Sequence, residues 1–292
     1  MSQSHEVGAQ PQCDGEAVRQ MHEASTDLHT VALQVSYNGS SFNGFAKQPG
    51  QPTVQGGLEE ALGLLYRRPV ETVCAGRTDS GVHALGQVVS FQLSPDEFSV
   101  RGMDKLAASL RALTPDGMTV RAAAEAPKGF SARFDAVSRE YRYFICIDAA
   151  APLLMAGFCW HLGKSLDVDA MRRGTSHLIG EHDFKSFCAA ASAVGKPTHR
   201  FVKDIEFLQR RIWDSEFVEM RIVGNAFLHS MVRTIVGTLV AVGRGKRAPE
   251  WVAQVLAARE RSAAGENAPA EGLVFWHVDY KGQRLYVPPT RP

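Results

Sequence analysis

One short polar stretch combines residue types that could do chemistry. Asp79 carries a carboxylate, and Arg77 lies two residues before it, within the sequence Ala-Gly-Arg-Thr-Asp-Ser-Gly-Val-His-Ala at residues 75–84. The stretch separates two apolar runs, 70–74 and 87–93. A carboxylate held at such a junction can act as a nucleophile or as a general base. The same residues also fit an ordinary turn, because Asp, Ser and Gly are typical turn formers.

Other motifs that suggest a cofactor fail on their spacing. Residues 157–165 end like a phosphate-binding P-loop, but five residues separate the two glycines where that motif has four. Residues 243–248 imitate a dinucleotide fingerprint, yet they follow a run with helical period, whereas a true fingerprint follows a strand. The five cysteines form no C-x-x-C pair and the ten histidines are dispersed. We therefore expect no metal site and no cofactor.

The composition is that of an ordinary soluble globular protein, with 45% hydrophobic and 22% charged residues. No apolar run approaches the roughly 20 residues that cross a bilayer. Scattered cysteines suit a reducing compartment, so we expect a cytoplasmic protein without a membrane segment. The net charge is only +1, but residues 1–27 hold five acids and one base, and the remainder carries +5. RNA binding would therefore require a localised basic surface.

The pattern of apolar residues predicts two similar halves. Residues 1–28 lack any period and read as a disordered acidic tail. From residue 29 to 128, strand, helix, strand, strand, helix and strand patterns follow one another, with helices starting at Thr53 and spanning 100–113. This order is typical of a split β-α-β unit.

Residues 129–292 repeat a similar order of elements. It includes a strand at 139–148, a helix at 167–178 and a long helix at 226–242 that Asn225 could cap. The predicted fold class is thus α+β, with two related split β-α-β subdomains of the RRM or ferredoxin-like kind. Their mixed, largely antiparallel sheets would meet at a central cleft.

Arg233 lies on the predicted helix 226–242 but away from its apolar face, between His229 and Gly237. A helix this apolar is expected to be buried, so its arginine would need an anionic partner. A carboxylate in the cleft would satisfy it, and an exposed arginine is the alternative.

The stretch around Asp79 resembles the active-site motif of the tRNA pseudouridine synthases of the TruA type. The resemblance covers nearly all of residues 30–280, because further segments match the family in order: 37–45, 53–55, 130–134, 139–143, 180–184, 225–233 and 268–273. Two departures fall in the first of these segments. Asn38 replaces a frequent Asp, and Phe45-Ala46 replaces a frequent Trp-Gln.

The resemblance implies a role for four residues. Asp79 would be the catalytic nucleophile, and Arg77 would enter the vacated base stack or steady the flipped nucleotide. Tyr141 would pack on the target base, and Arg233 would pair with the catalytic carboxylate. Pattern alone also allows that Tyr141 is a core residue, since it shares a strand face with Tyr143, and that Arg77 is a solvated loop residue.

The family further implies a homodimer that isomerises uridines 38, 39 and 40 in the anticodon stem-loop of tRNA without a cofactor. Whether Asp79 attacks C1′, attacks C6 or acts as a base stays open at this point. Two alternatives remain: an RNA-binding or tRNA-folding protein, and the same isomerase acting on another RNA. Split β-α-β sheets are common RNA platforms, which keeps the first alternative in view.

Overall fold

The computed structural model describes residues 28–189 and 194–282. The predicted acidic tail lies outside the described residues except for its last position, Leu28, so its disorder stays a prediction. Within the described ranges, no helix is long and apolar enough to cross a membrane.

The first half of the chain forms one helix-covered sheet segment. Helix α1 begins after Thr53, whose side chain accepts a hydrogen bond from the Gly56 amide as an N-cap. Strand β1 pairs antiparallel with β3 on one side and with β4 on the other. The elements are β1 (His29–Tyr37), α1 (Val54–Tyr66), β2 (Val73–Cys74), β3 (His83–Leu93), α2 (Pro95–Val100), α3 (Met103–Leu113) and β4 (Met118–Ala126).

The second half repeats the combination of antiparallel strands and covering helices. Strand β9 pairs antiparallel with both β5 and β8. The elements are β5 (Ala136–Cys146), β6 (Trp160–His161), α4 (Val168–Thr175), β7 (Gly180–Asp183), β8 (His199–Ile212), β9 (Ser215–Gly224), α5 (Met231–Gly243), α6 (Trp251–Ala258) and β10 (Leu273–Tyr280).

Strand β10 joins the two halves into one ten-stranded sheet of order β4-β1-β3-β10-β5-β9-β8-β7, with β2 beside β3 and β6 beside β5. It runs parallel to β3, starting opposite His83, and antiparallel to β5. The predicted α+β class with a mixed, largely antiparallel sheet is thereby confirmed. The division of the chain near residue 128 into two related subdomains stays a prediction.

The main hydrophobic core packs one face of this sheet against the helices. Its contributors from the strands include Leu33, Tyr143 and Phe275, all fully buried, and α5 adds Ile235 and Leu239. A smaller cluster of Phe144, Cys146, Cys159 and Phe217 includes β5 residues that alternate with Tyr143 and therefore point to the other face. Strand β5 thus has two distinct environments.

Two predicted helices differ from the observed ones. The helix predicted at 100–113 corresponds to α3, which begins only at Met103. A separate helix, α2, starts at a capping box of Ser94 and Glu97 and ends at Val100, and the chain breaks at Arg101 and Gly102. The helix predicted at 226–242 begins only at Met231.

The late start of α5 has a physical cause. The Asn225 side chain does not cap a helix, because its Oδ1 accepts a hydrogen bond from the Phe201 amide of β8 at 3.0 Å. Ser230, the residue before the helix, adopts a left-handed conformation with φ of 60°. Residues 225–230 therefore form an irregular segment that ties β8 to the start of α5.

Candidate active site

The Asp79 carboxylate meets side chains from the far half of the chain. Its Oδ2 accepts hydrogen bonds from the Ser230 hydroxyl at 2.9 Å and from Arg233 Nη1 at 3.2 Å. Its Oδ1 lies 3.2 Å from His229 Nε2. The Asp79 side chain nevertheless remains 19% exposed. Both carboxylate oxygens therefore have a partner, while part of the side chain stays open to solvent.

The loop that carries Asp79, residues 75–84 (the Asp79 loop), is fastened to the sheet at its start. The Ala75 amide donates to the Val88 carbonyl at 2.8 Å. The buried Gln87 side chain then holds both polar groups of Gly76, donating to its carbonyl at 2.6 Å and accepting from its amide at 3.3 Å. Such side-chain bonds replace the strand ladder where the chain leaves β2.

Thr78, next to Asp79, is held by Tyr37 and Phe45. Its hydroxyl lies 2.8 Å from the buried Tyr37 hydroxyl, and its carbonyl accepts from the Phe45 amide at 3.1 Å. Burial raises the pKa of the Tyr37 phenol, so this group stays neutral. The far end of the loop is held by His83, whose Nδ1 accepts from the Gly39 amide at 3.0 Å. Tight anchoring on both sides leaves Asp79 little freedom to move.

Two glycines of the loop serve different purposes. Gly81 has φ of 79°, a conformation that favours glycine, and it closes the turn in which the Val82 amide donates to the Asp79 carbonyl. Gly76 is needed for space instead. A Cβ atom there would lie 2.9 Å from the Phe275 ring, closer than real side chains pack.

Arg233 is braced before it reaches Asp79. Its Nε donates to the Ala268 carbonyl at 2.8 Å, and its own carbonyl accepts from the Ala268 amide at 3.1 Å. Its side chain is 19% exposed. The anionic partner expected from the sequence is thus Asp79, and the N-terminal end of α5, which favours negative charge, lies at this carboxylate.

Ser230 and His229 were missed by sequence reasoning. Both belong to residues 226–230, which the sequence predicts as the start of the helix 226–242, and that prediction singles out neither of them. A signal existed in their position just before an arginine predicted to need an anion. In the structure, the irregular backbone turns both side chains toward Asp79.

Tyr141 is also close to the Asp79 loop but is largely buried, with 7% exposure. Its ring contacts Phe227 and Phe275 edge-to-face, with centroids 5.1 and 5.0 Å away. Burial raises the pKa of the Tyr141 phenol, and Tyr37 and Asp79 add to the shift. Tyr141 is therefore a core residue beside the Asp79 loop, and its packing on the target base stays a prediction.

Arg77 is exposed on the Asp79 loop, two residues from the carboxylate. Asp79, Arg233 and Tyr141 are thus brought together by contacts or charge interactions, and Arg77 stands at the rim. None of the described histidines, cysteines and acids forms a group of three or more that could hold a metal ion. The chemistry available here is that of one carboxylate with cationic, hydroxyl and aromatic neighbours.

A comparison with known protein families matches most of this chain. A family model described as tRNA pseudouridine synthase matches residues 33–135 and 175–281. The first of these segments contains Asp79, and the second contains Ser230 and Arg233. The match thus covers both sides of the site.

Curated relatives match along nearly their whole length. Proteins named tRNA pseudouridine synthase A from Bacillus velezensis and Burkholderia lata are 41% and 42% identical over 252 and 265 residues. These alignments cover 86% and 89% of this chain and 98% and 93% of the relatives. A solved structure of a Cbf5-Nop10-Gar1 complex aligns with 72% of this chain and 45% of its own at 14% identity and a TM-score of 0.34. The sequence matches are decisive: this chain belongs to the tRNA pseudouridine synthase family, and it is an isomerase that acts on uridine in tRNA.

Proposed function

We propose that this enzyme forms pseudouridine at positions 38, 39 and 40 of the tRNA anticodon stem-loop, with Asp79 acting directly on the flipped uridine. The observation that carries the proposal is the Asp79 carboxylate, anchored by Arg233 and Ser230 from the other half of the chain yet partly open. A structural carboxylate would gain nothing from that opening.

The reaction needs little beyond such a carboxylate. The N1–C1′ bond of uridine breaks, the base turns over, and C5 bonds to C1′, while C5 loses its proton and N1 gains one. Atoms and electrons balance within the nucleoside, so the overall change is neither oxidation nor reduction. Asp79 can attack C1′, attack C6, or remove the proton as a base. In each case the carboxylate must face the base from a fixed position, which the anchoring of the Asp79 loop supports.

The target base must leave its stack before Asp79 can reach it. Arg77, exposed on the Asp79 loop, is in a position to enter the vacated space or to bind the neighbouring phosphate. Tyr141 is positioned to pack against the extruded base once it enters beside Asp79. These two roles follow the family and are supported here by proximity to the carboxylate.

The anticodon stem-loop would be recognised mainly through its shape and phosphates, as is usual for helical RNA. The excess of basic residues outside residues 1–27 supports contact with phosphates. As part of the same proposal, the enzyme acts as a homodimer that holds one tRNA across both subunits, and it works in the cytoplasm, where tRNA is modified.

Pseudouridine mapping tests this proposal. The chain would be expressed in a bacterial host that lacks its own enzyme of this family, and pseudouridine would be mapped chemically in total RNA. We expect signals to return at positions 38, 39 and 40 in every tRNA that carries uridine there. Signals confined to other RNAs would show that the substrate is not tRNA. Restored tRNA folding without any new pseudouridine would favour an RNA-binding protein.

A further inference from the structure

Arg139 on β5 is a buried cation without an acidic partner. Its exposure is 8%, and no carboxylate pairs with it anywhere in residues 28–189 and 194–282. Burial lowers the pKa of its guanidinium. A buried charge of this kind is costly unless every donor is satisfied.

Carbonyl oxygens satisfy all five N–H groups of Arg139. Nε and Nη2 both donate to the Ala75 carbonyl, at 3.1 and 2.9 Å, and Nη2 also donates to the Arg133 carbonyl at 2.7 Å. Nη1 donates to the carbonyls of Asn225 and Ala136, at 2.5 and 3.2 Å. One planar group thus binds four carbonyls from three separate segments of the chain.

Two of these carbonyls lie at the base of the segments that form the site. Ala75 begins the Asp79 loop, four residues before the carboxylate. Asn225 begins the segment 225–230, which supplies Ser230 and His229 to that carboxylate. The two segments come from opposite halves of the chain, and the Arg139 guanidinium contacts both.

We propose that Arg139 is a positioning residue that sets the separation between Asp79 and its partners Ser230 and His229. It does not touch the substrate, and the inference rests on the proposed role of Asp79. Lysine should not replace it, because an ammonium has three donors at a single point and cannot bind four carbonyls arranged around a planar fork.

Arg142 provides a matched control. It lies on the same strand three residues away, points to the opposite face of the sheet, and is also largely buried. Its guanidinium contacts Glu140, Glu219 and the Trp276 ring, and none of these belongs to the Asp79 loop or to segment 225–230. Arg142→Lys should therefore perturb the same strand without altering the site.

The experiment compares Arg139→Lys, Arg142→Lys and the wild type well below their melting temperatures. We expect Arg139→Lys to lower kcat for tRNA pseudouridylation about 30-fold, with KM and tRNA affinity within threefold, because positioning matters only as the reaction proceeds. Arg142→Lys should keep kcat within threefold. Amide hydrogen exchange should quicken in residues 76–79 and 226–230 only in Arg139→Lys.

A wild-type kcat in folded Arg139→Lys, or unchanged exchange in both segments, would overturn the inference. If Arg139→Lys unfolds, Arg139→Ala with added guanidinium ion replaces it, and recovery of kcat by guanidinium but not by ammonium is the expected result. Failure of the ion to restore activity to folded Arg139→Ala would count against positioning. If the proposed function is wrong, the wild type will show no activity on tRNA. In that case hydrogen exchange still tests whether Arg139 holds residues 76–79 and 226–230.

Discussion

Strand β5 has a buried arginine on each face of the sheet, Arg139 and Arg142. The two differ in their partners, because carboxylates surround one and backbone carbonyls the other. On the face away from the main core, Arg142 lies between Glu140 and Glu219, at 2.8 and 3.0 Å, and 4.0 Å above the Trp276 ring. Glu219, which is 2% exposed, is shared with Arg210. On this face, each of these buried charges has a charged partner of opposite sign.

On the other face of β5, charged groups are not all paired with opposite charges. Arg139 binds only carbonyls, and Tyr141 lies beside the Asp79 loop. Asp79 accepts from Arg233 and Ser230 at one oxygen and contacts His229 at the other, and its side chain is still partly exposed. The comparison suggests a division of roles. The ion pairs of Arg142, Glu140 and Glu219 serve the fold, whereas the contacts that hold Asp79 leave its carboxylate partly exposed and therefore able to react.

Among the residues that contact Asp79, we expect Arg233 to matter most for the reaction rate, which Arg233→Gln tests. The substitution keeps a polar side chain but shortens it and removes the charge that faces Asp79. We expect a single-turnover rate lower by about 10²-fold, the usual loss when a stabilising group next to a reacting charge is removed. Binding of tRNA, measured by filter retention, should stay within a few-fold. A rate within threefold of wild type would show that Asp79 works without this ion pair.

Glu219→Gln should have its effect on the opposite face and only on stability. Breaking a buried pair typically costs about 3–5 kcal/mol, and we expect the low end because Arg142 keeps Glu140. Denaturant unfolding would measure the loss, while kcat at 25 °C should be unchanged. If kcat fell with a small stability change, the two faces would not be independent.

Ser230→Ala should give a smaller loss on the site face. A hydrogen bond to a charged group contributes about 1.5–3 kcal/mol, and we expect the low end because Arg233 shares the same oxygen. That loss corresponds to a decrease in kcat of roughly tenfold. The alanine enzyme should melt only about 3–6 °C below wild type, so it stays folded in the assay. An unchanged kcat would show that this hydrogen bond does not contribute to the reaction.

Glu97→Gln tests a paired charge far from Asp79 by its pH dependence. The hydrogen bond from Arg68 lowers the pKa of Glu97 to about 2. Because this pKa lies below the unfolded value, the pair stabilises the protein above about pH 4.5 and the contribution disappears as the pH falls toward 2. We expect the variant to lose about 1 kcal/mol at pH 7, with the Ser94 cap retained. Unfolding curves for the two proteins should converge at acid pH, and a constant difference would contradict the assignment.

Much of this organisation was accessible from the sequence. The Asp79 loop stood out by its composition. The helical period over residues 226–242 placed Arg233 away from the apolar face, so an anionic partner could be predicted. The alternation along β5 also placed Tyr141 on the same face as Tyr143. These inferences succeed because local periodicity determines which side of an element a residue occupies.

What the sequence did not reveal depends on distant pairing. Asn225 has the right chemistry for a helix cap, and only its bond to the Phe201 amide shows why α5 starts later. Ser230 and His229 reach Asp79 through that same irregular segment. The insertion of β10 between β3 and β5 is likewise a choice between strand neighbours that no local pattern specifies.

The most direct test of the central claim is Asp79→Asn, assayed by tritium release from tRNA that carries 5-tritiated uridine. Asparagine is nearly isosteric but cannot act as a nucleophile or a base. We predict release indistinguishable from background over a period in which the wild type reaches completion, with tRNA binding within threefold and an unchanged melting temperature. Release at the wild-type rate would contradict the assignment of Asp79 as the reacting group.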